Sequence, residues 1–255
     1  MTSILIGTSG YTYSWNKGKS SKFKWYVDQG FNSVEINGSF YRFPTENWIN
    51  NWKNVSRKNF RFSIKVNRAI THYTRLKGDK SIKLWERFRN SLEPLAERIT
   101  FYLFQMPSTF KYNQENIERI EKFRIKADLN SNAVLEFRDR SWWSKASIQE
   151  LERLKIPMCS VDAPLLPNKI LNLNKTVYLR LHGSKTWYNY LYSEKELKRI
   201  IAKVEKKSAT KKAIYLNNDH GMLPNGKYLL EHLIKAKNHY QQSTTVRSLA
   251  QISYD

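Results

Sequence analysis

The chain has 255 residues, 40% of them hydrophobic, and its 44 Lys and Arg residues against 22 Asp and Glu give a formal net charge of +22. This length suits one α/β barrel and can bury a sizeable core without disulfide bonds. No apolar run approaches the roughly 20 residues of a membrane span, and the opening MTSILIGTSGY lacks the basic and long apolar regions of a signal peptide. We therefore expect a cytoplasmic protein without a membrane partner.

The positive charge is spread along the chain rather than gathered in one arm. Basic runs such as KGKSSKFK and KRIIAKVEKKSATKK occur in both halves of the sequence. A field of this sign attracts polyanions and speeds their encounter. A lysine-coated surface that serves solubility would give the same composition, so charge alone leaves DNA or RNA binding and simple solubility both open.

Eight short apolar segments, rich in β-branched and aromatic residues, predict β-strands. In chain order they cover residues 4–7, 33–36, 60–65, 100–105, 133–137, 158–161, 176–181 and 213–216. Most are nearly continuous apolar runs, as expected for parallel strands that are covered on both faces.

Amphipathic segments between these strands predict helices over residues 80–98, 113–123, 144–154, 193–204 and 224–236. Pro94 should interrupt the first of them, and Asn113 is a suitable cap for the second. Ser147 and Ser193 each precede a Glu by three residues, which is the spacing of a capping box. Pro224 suits the first turn of the last helix.

Strands that alternate with helices imply right-handed βαβ units, and eight such units that close on themselves form a TIM-like barrel. We expect one such α/β domain over residues 1–255, with a C-terminal tail at about 241–255. The link DAPLLPNKILNLNK lacks a helical pattern, so one helix of the ring should be irregular or missing. A doubly wound open sheet is the alternative, but GTSGYTYSW is not a Gly-rich phosphate fingerprint.

Polar residues lie at the carboxyl ends of the predicted strands, where the active sites of parallel barrels are built. We expect these side chains to share one pocket. They are Glu35 and Asn37 after the second strand, Lys65 and His72 after the third, Gln105 after the fourth, Glu136 and Arg138 after the fifth, Asp162 after the sixth, Arg180 and His182 after the seventh, and Asn217 after the eighth.

The residue types in this set indicate the chemistry of an anion pocket. Arg138, Arg180 and Lys65 offer donors for a phosphate or a carboxylate. The carboxylates could act as general acids or bases or bind a divalent metal, although no HxH or HExxH motif favours a metal. A purely structural network of ion pairs is the alternative. The single cysteine, Cys159, lies in the apolar run IPMCSV and is expected to be a buried structural thiol.

Aromatic residues follow the first, second, fifth and seventh strands. Tyr41 and Trp142 are among them, and the segment after the seventh strand reads WYNYLY. Part of this set should form a minor apolar cluster at the barrel mouth. Aromatic rings beside Arg and Lys are also what sugar rings and unstacked bases need.

The motifs together resemble the DUF72 (YecE-like) family of unknown function over residues 4–235. The resemblance rests on IGTSGYTYSW, VEINGSFYRFP, FRFSIKVNRAITH, FQMPSTF, LEFRDRSWW, YLRLHG, YSEKEL and YLNNDHG. It implies a TIM barrel related to xylose-isomerase-like and endonuclease-IV-like barrels, in which metal-bound sites process sugars or cleave abasic DNA. The family pattern maps onto the strand-end residues above and onto Tyr41 and Trp142. The segment LNNDHGMLPNGKYLLEHL departs from that pattern, and the His-rich ligand set of the metal-dependent endonucleases is not evident.

The leading hypothesis is therefore an enzyme, a phosphodiesterase-like hydrolase or a sugar-phosphate enzyme, that acts on a phosphate- or sugar-containing ligand. Glu136 or Glu35 would be the general base and His182 the proton donor, while Arg138, Arg180 and Lys65 would hold the anion. The alternative is a barrel that binds single-stranded or damaged nucleic acid without turnover.

Overall fold

The structure is a computed structural model that describes residues 3–235. Within that range eight strands alternate with α-helices and short 3-10 turns. The strands are β1 (Ser3–Thr8), β2 (Ser33–Ile36), β3 (Arg61–Lys65), β4 (Ile99–Gln105), β5 (Ala133–Glu136), β6 (Cys159–Asp162), β7 (Thr176–Leu181) and β8 (Lys211–Leu216). The helices are α1 (Lys22–Asp28), α2 (Gly38–Tyr41), α3 (Glu46–Val55), α4 (Gly78–Asn90), α5 (Gln114–Lys126), α6 (Lys145–Arg153), α7 (Glu194–Glu205) and α8 (Met222–Leu230).

The strands are all parallel and close into a barrel. Continuous pairing runs through β2-β3-β4-β5 and through β6-β7-β8-β1. Single parallel bridges, Ser9 to Glu35 and Leu135 to Met158, join these two runs between β1 and β2 and between β5 and β6. The predicted TIM barrel is confirmed, and the open doubly wound sheet is excluded.

The core lies on both sides of the barrel wall, because the helices bury one face against the strands. In α4, Trp85 and Phe88 are spaced for one helical face and are buried, and the Trp85 ring lies 5.1 Å from that of Phe104 on β4. Burial of such aromatic side chains contributes about 3–5 kcal/mol each, judged from the usual cost of truncating them. Contacts of this kind fix the strand ends, and thereby the site, in place.

Three helices, α1, α2 and α3, escaped the sequence prediction. The segment of α3, ENWINNWKNV, is rich in Asn, which has a low helix propensity. Tertiary packing overrides that preference, because Ile49 and Trp52 lie three residues apart and are both buried. The N–H of Trp48 donates to the Thr45 hydroxyl and caps the helix.

The predicted helix boundaries are mostly confirmed. The N–H of Asn116 donates to the Asn113 side chain at 2.9 Å, and Ser193 forms a capping box at the start of α7. The predicted capping box at Ser147 is wrong: Ser144 caps α6, and Ser147 lies inside the helix, where its hydroxyl donates to the Trp142 carbonyl at 2.8 Å. A 3-10 turn, Glu93–Arg98, follows α4, as Pro94 predicts.

The link between β6 and β7 contains no helix, as its composition predicts. Its backbone is held in place by side chains, and the N–H of Leu171 donates to the Ser160 hydroxyl at 2.8 Å. The predicted tail at 241–255, and Ala236 at the end of the last predicted helix, lie outside the described residues. Among the helices that are described, none is long and apolar enough to cross a bilayer.

Candidate functional site

A chain of four charges, three of them buried, crosses the barrel at the carboxyl ends of its strands. Arg180 on β7 donates to Glu35 on β2 and to Glu136 on β5, and both nitrogen–oxygen distances are 2.7 Å. Glu136 also lies 2.6 Å from Nε of Arg138, a contact that is an ion pair rather than a well-angled hydrogen bond. The side chains of Glu35, Glu136 and Arg180 are at most 1% exposed, whereas 14% of the Arg138 side chain is exposed.

The alternation of side chains along the strands explains how these groups meet. Tyr178 and Arg180 lie two residues apart on β7 and point the same way. The Tyr178 hydroxyl donates to the second oxygen of Glu35 at 2.7 Å, and the Ser9 hydroxyl donates to the first. Every oxygen of Glu35 therefore has a donor, which is what a buried carboxylate requires.

The electrostatics keep Glu136 and Arg180 ionised. Burial opposes the charge on Glu136, but Arg138 and Arg180 outweigh it and hold the pKa of that carboxyl well below its usual range. Burial likewise opposes the charge on Arg180, and Glu136 and Glu35 raise its pKa above the usual value. Glu136 is therefore a fixed negative charge at neutral pH and a weak base.

Lys65 stands beside this chain without joining it. Its Nζ lies 4.2 Å from the centre of the Phe40 ring, and the lysine is half-buried. Across residues 3–235 its Nζ has no hydrogen-bond or ion-pair partner. Burial lowers the pKa of Lys65 to about 7, with a further contribution from Arg180; Glu136 and Glu35 oppose that shift and Arg138 adds to it.

His72 is half-buried in the loop after β3, and its Nδ1 lies 2.9 Å from the Thr71 hydroxyl. Burial lowers the pKa of His72, and the charges of Lys65, Arg138, Arg75 and Arg68 lower it further, to about 4. The imidazole is therefore neutral at pH 7, and the four basic side chains around it give this side of the pocket an excess of positive charge. Arg68 and Arg75 were not among the predicted site residues.

His182 is buried between two partners at the end of β7. Nη2 of Arg138 lies 3.5 Å from its Nε2, and the Asn217 amide lies 3.1 Å from its Nδ1. Burial, then the charges of Arg180 and Arg138, lower its pKa well below the usual value. The neutral ring packs against Trp187, over whose face Arg138 also lies at 4.8 Å.

Asp162 belongs to a separate network beside the pocket. It accepts hydrogen bonds from Tyr192 and Ser184, both at 2.7 Å, and from Asn168 at 3.0 Å. Its donors come from the loop after β7 and from the irregular β6–β7 link. The carboxylate therefore ties these two loops together and does not contact the Glu35–Arg180–Glu136 chain.

Two aromatic residues that were predicted to bind the substrate lie away from the pocket centre. Trp142 is fully buried, stacked on Phe137 at 3.8 Å, and its indole N–H donates to the Phe110 carbonyl at 2.7 Å. It is a core residue, and a ligand cannot stack on it in this conformation. Tyr41 is 66% exposed at the rim, where its ring lies 5.7 Å from the guanidinium of Arg68.

The remaining predicted residues, Asn37 and Gln105, are half-buried at the ends of β2 and β4. Gln105 pairs in register with Glu136 on the neighbouring strand. The Oδ1 atom of Asn37 is buried and lacks a hydrogen-bond partner in the described part of the chain. Asn37 also lines a cavity of about 310 Å³ whose wall includes Tyr13 and Trp48.

Sequence reasoning missed two residues that complete the site, Ser9 and Tyr178, whose hydroxyl groups satisfy Glu35. Trp187, the first residue of the aromatic segment noted after the seventh strand, supports both Arg138 and His182. Tyr178 could have been found from its position two residues before Arg180 in YLRL. Nothing in the sequence separates Ser9 from the other hydroxyl residues of its loop.

Two further features bear on the chemistry. Within residues 3–235, no three His, Cys, Asp or Glu side chains are grouped in a way that could hold a metal ion. Cys159 is buried near Glu136, and burial, with the charge of that carboxylate, raises the pKa of the thiol well above its usual value. The thiol is therefore protonated and inaccessible, which agrees with the structural role predicted for it.

Comparison with known proteins identifies relatives over almost the whole chain. The family described as "Protein of unknown function DUF72" matches residues 5–248. UPF0759 protein YunF of Bacillus subtilis is 25% identical over 268 residues, which cover 89% of this chain and 94% of that protein.

Solved structures share the barrel. A DUF72 family protein from Thermotoga maritima superposes with a TM-score of 0.78 at 25% identity, covering 90% of this chain and 98% of that one. The structure of SacUVDE superposes with a TM-score of 0.58 at 11% identity, covering 91% and 99%. At 11% identity the second likeness concerns the fold alone.

Proposed function

The chain belongs to the DUF72 family, as its motifs predict, and we propose that its barrel mouth binds and processes a small substrate that carries a phosphate or a sugar. The chemistry would be either the hydrolysis of a phosphate ester or the conversion of a sugar phosphate. The two carboxylates, the arginines and Lys65 would form the reaction site.

The observation that carries this proposal is the surplus of positive charge around His72. Burial, and then the charges of four cationic side chains, lower the pKa of this histidine to about 4. Three of them, Lys65, Arg68 and Arg75, have no carboxylate within ion-pair distance in the described residues. An unneutralised cluster at the mouth of a barrel is an electrostatic site for an anion.

The two arginines of the central chain would play different parts. Both terminal nitrogens of Arg180 are taken by Glu35 and Glu136, and its side chain is 1% exposed, so it positions carboxylates rather than substrate. Arg138 uses Nε for Glu136, its Nη2 lies 3.5 Å from Nε2 of His182, and its Nη1 has no hydrogen-bond partner among the described residues. We therefore assign anion binding to Arg138 and Lys65, and to Arg68 and Arg75 at the rim.

The cavity at Asn37 would hold the uncharged part of the substrate. Its volume of about 310 Å³ lies at the small end of ligand pockets. Tyr13 and Trp48 offer aromatic faces for a sugar ring. The unpartnered Oδ1 of Asn37 could accept a hydrogen bond from a hydroxyl group.

The groups proposed to transfer protons, Glu136, Glu35 and His182, differ in acidity. Glu136 and Glu35 remain the candidate bases, although the low pKa of Glu136 makes that carboxylate better suited to stabilising developing positive charge. His182 could donate a proton only from its neutral imidazole. Asp162 would order the loops around the substrate.

Calorimetric titration with inorganic phosphate tests the anion site. We expect Arg138→Gln to weaken binding about tenfold or more, since a hydrogen bond to a charged group contributes about 1.5–3 kcal/mol. Lys198→Gln is the matched control, because it makes the same change in net charge on the exposed surface of α7. Arg138→Lys provides a second variant in case Arg138→Gln fails to fold, because lysine keeps the positive charge but loses the forked donors of arginine.

Equal affinity in all these variants, or no binding at low salt, would refute the anion site. The reaction is tested separately, with bis(p-nitrophenyl) phosphate as a phosphodiester probe. If wild type turns it over and folded Glu136→Gln and His182→Ala variants do so equally well, the proton-transfer roles are wrong.

A second candidate function, the binding of single-stranded nucleic acid, is favoured by one feature of the rim. Arg68 lies between the rings of Tyr41 and Tyr73, at 5.7 and 5.6 Å, and these two rings are 66% and 68% exposed. Unstacked bases bind to such pairs of rings and cations.

Fluorescence anisotropy with a short single strand at two salt concentrations separates the two functions. The uncharged double change Tyr41→Ala and Tyr73→Ala should weaken strand binding by about tenfold or more, since stacking contributes about 1–3 kcal/mol per base. If the affinity falls only when the salt concentration is raised, and by the same factor in wild type and variant, the strand is attracted non-specifically to a basic surface.

A further inference from the structure

Lys65 is a lysine held next to carboxylates that do not bind it. Glu35 is occupied by Arg180, Ser9 and Tyr178, and Glu136 by Arg180 and Arg138. The Lys65 side chain instead extends over the ring of Phe40, with its nitrogen 4.2 Å from the ring centre.

A structural role does not explain this arrangement. Lysines that support a fold from within usually pair with a carboxylate or a carbonyl, because burying an unpaired ammonium is costly. The surroundings of Lys65 relieve that cost by favouring the neutral amine, since burial and then Arg180 lower the pKa of Lys65 to about 7. At pH 7 about half of such amines carry a lone pair, against roughly one in three thousand for an exposed lysine.

The position of the amine is also that of a reacting group. Lys65 is the last residue of β3, at the end of the barrel where the arginines and carboxylates converge, and it is half-buried rather than sealed. Desolvated lysines beside another cation are activated nucleophiles toward carbonyl compounds.

We propose that Lys65 is a catalytic residue that forms an imine with the aldehyde or ketone carbonyl of a phosphorylated open-chain sugar. The inference rests on the proposed function for one element, the anchoring of the phosphate by Arg138 and the arginines of the rim. It adds the substrate's reacting group and a covalent intermediate.

The step balances without an oxidant or a metal. The Nζ lone pair attacks the carbonyl carbon, and the carbonyl oxygen takes the proton that the nitrogen gives up, which yields a neutral carbinolamine. The carbon–oxygen bond then breaks, one water leaves with the uptake of one proton from solvent, and the iminium forms. Its positive nitrogen remains over the Phe40 ring, whose face attracts cations.

The test is reductive trapping with glyceraldehyde 3-phosphate and cyanoborohydride at pH 7, followed by peptide mapping by mass spectrometry. Hydride reduces the iminium to a stable secondary amine, so each modified lysine gains the mass of the sugar less one oxygen atom. We expect Lys65 to be labelled at least about tenfold faster than the exposed Lys198, because far more of its amine is unprotonated. Inorganic phosphate should slow the labelling of Lys65 and leave that of Lys198 unchanged.

Lys65→Arg and Lys65→Met should both abolish the fast label, although the first keeps the charge. Lys198→Gln should leave it intact. Labelling of Lys65 at the rate of surface lysines, in protein that still binds phosphate by calorimetry, would overturn the imine and leave the anion site standing. Fast labelling of Lys65 by uncharged glyceraldehyde, in protein that does not bind phosphate, would support the imine and refute the proposed phosphate anchor.

Discussion

Replacing Arg180 with Met tests the buried charge chain most directly. The change removes both ion pairs at 2.7 Å and leaves two carboxylates at 0% exposure. Glu136 keeps Arg138 as a partner, but Glu35 keeps only the hydroxyl groups of Ser9 and Tyr178. One buried charge is thus uncompensated, and breaking a buried pair in this way costs about 3–5 kcal/mol of unfolding free energy.

The loss should depend on pH. In the variant one of the two carboxylates can become neutral only by binding a proton, which the unfolded chain does not bind at pH 7. Lowering the pH therefore favours the folded variant, and the difference from wild type should shrink by about 1 kcal/mol or more between pH 7 and about pH 5. Urea denaturation followed by far-ultraviolet circular dichroism at the two pH values measures both quantities.

Two variants sharpen this experiment. Glu35→Gln combined with Arg180→Met removes the stranded charge together with its partner, and it should be more stable than Arg180→Met alone. Arg180→Lys keeps one positive charge but cannot bridge both carboxylates, so its stability should be intermediate. A loss below about 1 kcal/mol that is unaffected by pH, with no recovery in the double variant, would refute the account of the chain.

Three further outcomes follow from other parts of the site. Sulfate, which does not titrate near neutrality, should bind more weakly as the pH rises through about 7, because Lys65 loses its proton there; titration calorimetry should find no such pH dependence in Lys65→Met. The Cys159 thiol should resist Ellman's reagent in the native protein and react in guanidinium, because it is buried and its pKa is raised; rapid native reaction would contradict its placement. Trp142→Ala should lower the unfolding free energy by about 3–5 kcal/mol and leave the phosphate affinity of the folded protein within about twofold; weaker phosphate binding at unchanged stability would contradict its core position.

The sequence predicts the barrel well because its strands have a simple pattern. Parallel strands that are covered on both faces are apolar along most of their length, and residues 177–179 of β7 and 213–216 of β8 follow this pattern. The Asn-rich α3 escapes prediction because only its tertiary contacts make it stable. The cap of α6 was misassigned for a related reason, since Ser144 and Ser147 both have the chemistry of a cap and only the backbone path distinguishes them.

The site is predictable in its location more than in its connections. Strand alternation places Glu35, Glu136 and Arg180 at one end of the barrel, and they do meet there. Which charge neutralises which depends on distances across the barrel that no local pattern encodes, so Arg180 looked like an anion donor although both carboxylates hold it. Trp142 looked like a rim residue because neither its spacing nor its composition separates a stacked core ring from an exposed one.

The two strand runs described above make the barrel an assembly of two half-barrels. Their hydrogen-bond ladders are interrupted at two seams, each spanned by a single bridge. Arg180 belongs to one half, while Glu35 and Glu136 belong to the other and sit on the strands that flank the two seams. The charge chain therefore connects the two half-barrels across both seams from inside the barrel. A ligand that changed the hydrogen bonds of this chain would also change how strongly the two halves are held together. In this protein the cohesion of the barrel across both seams therefore rests in part on three side chains, those of Arg180, Glu35 and Glu136.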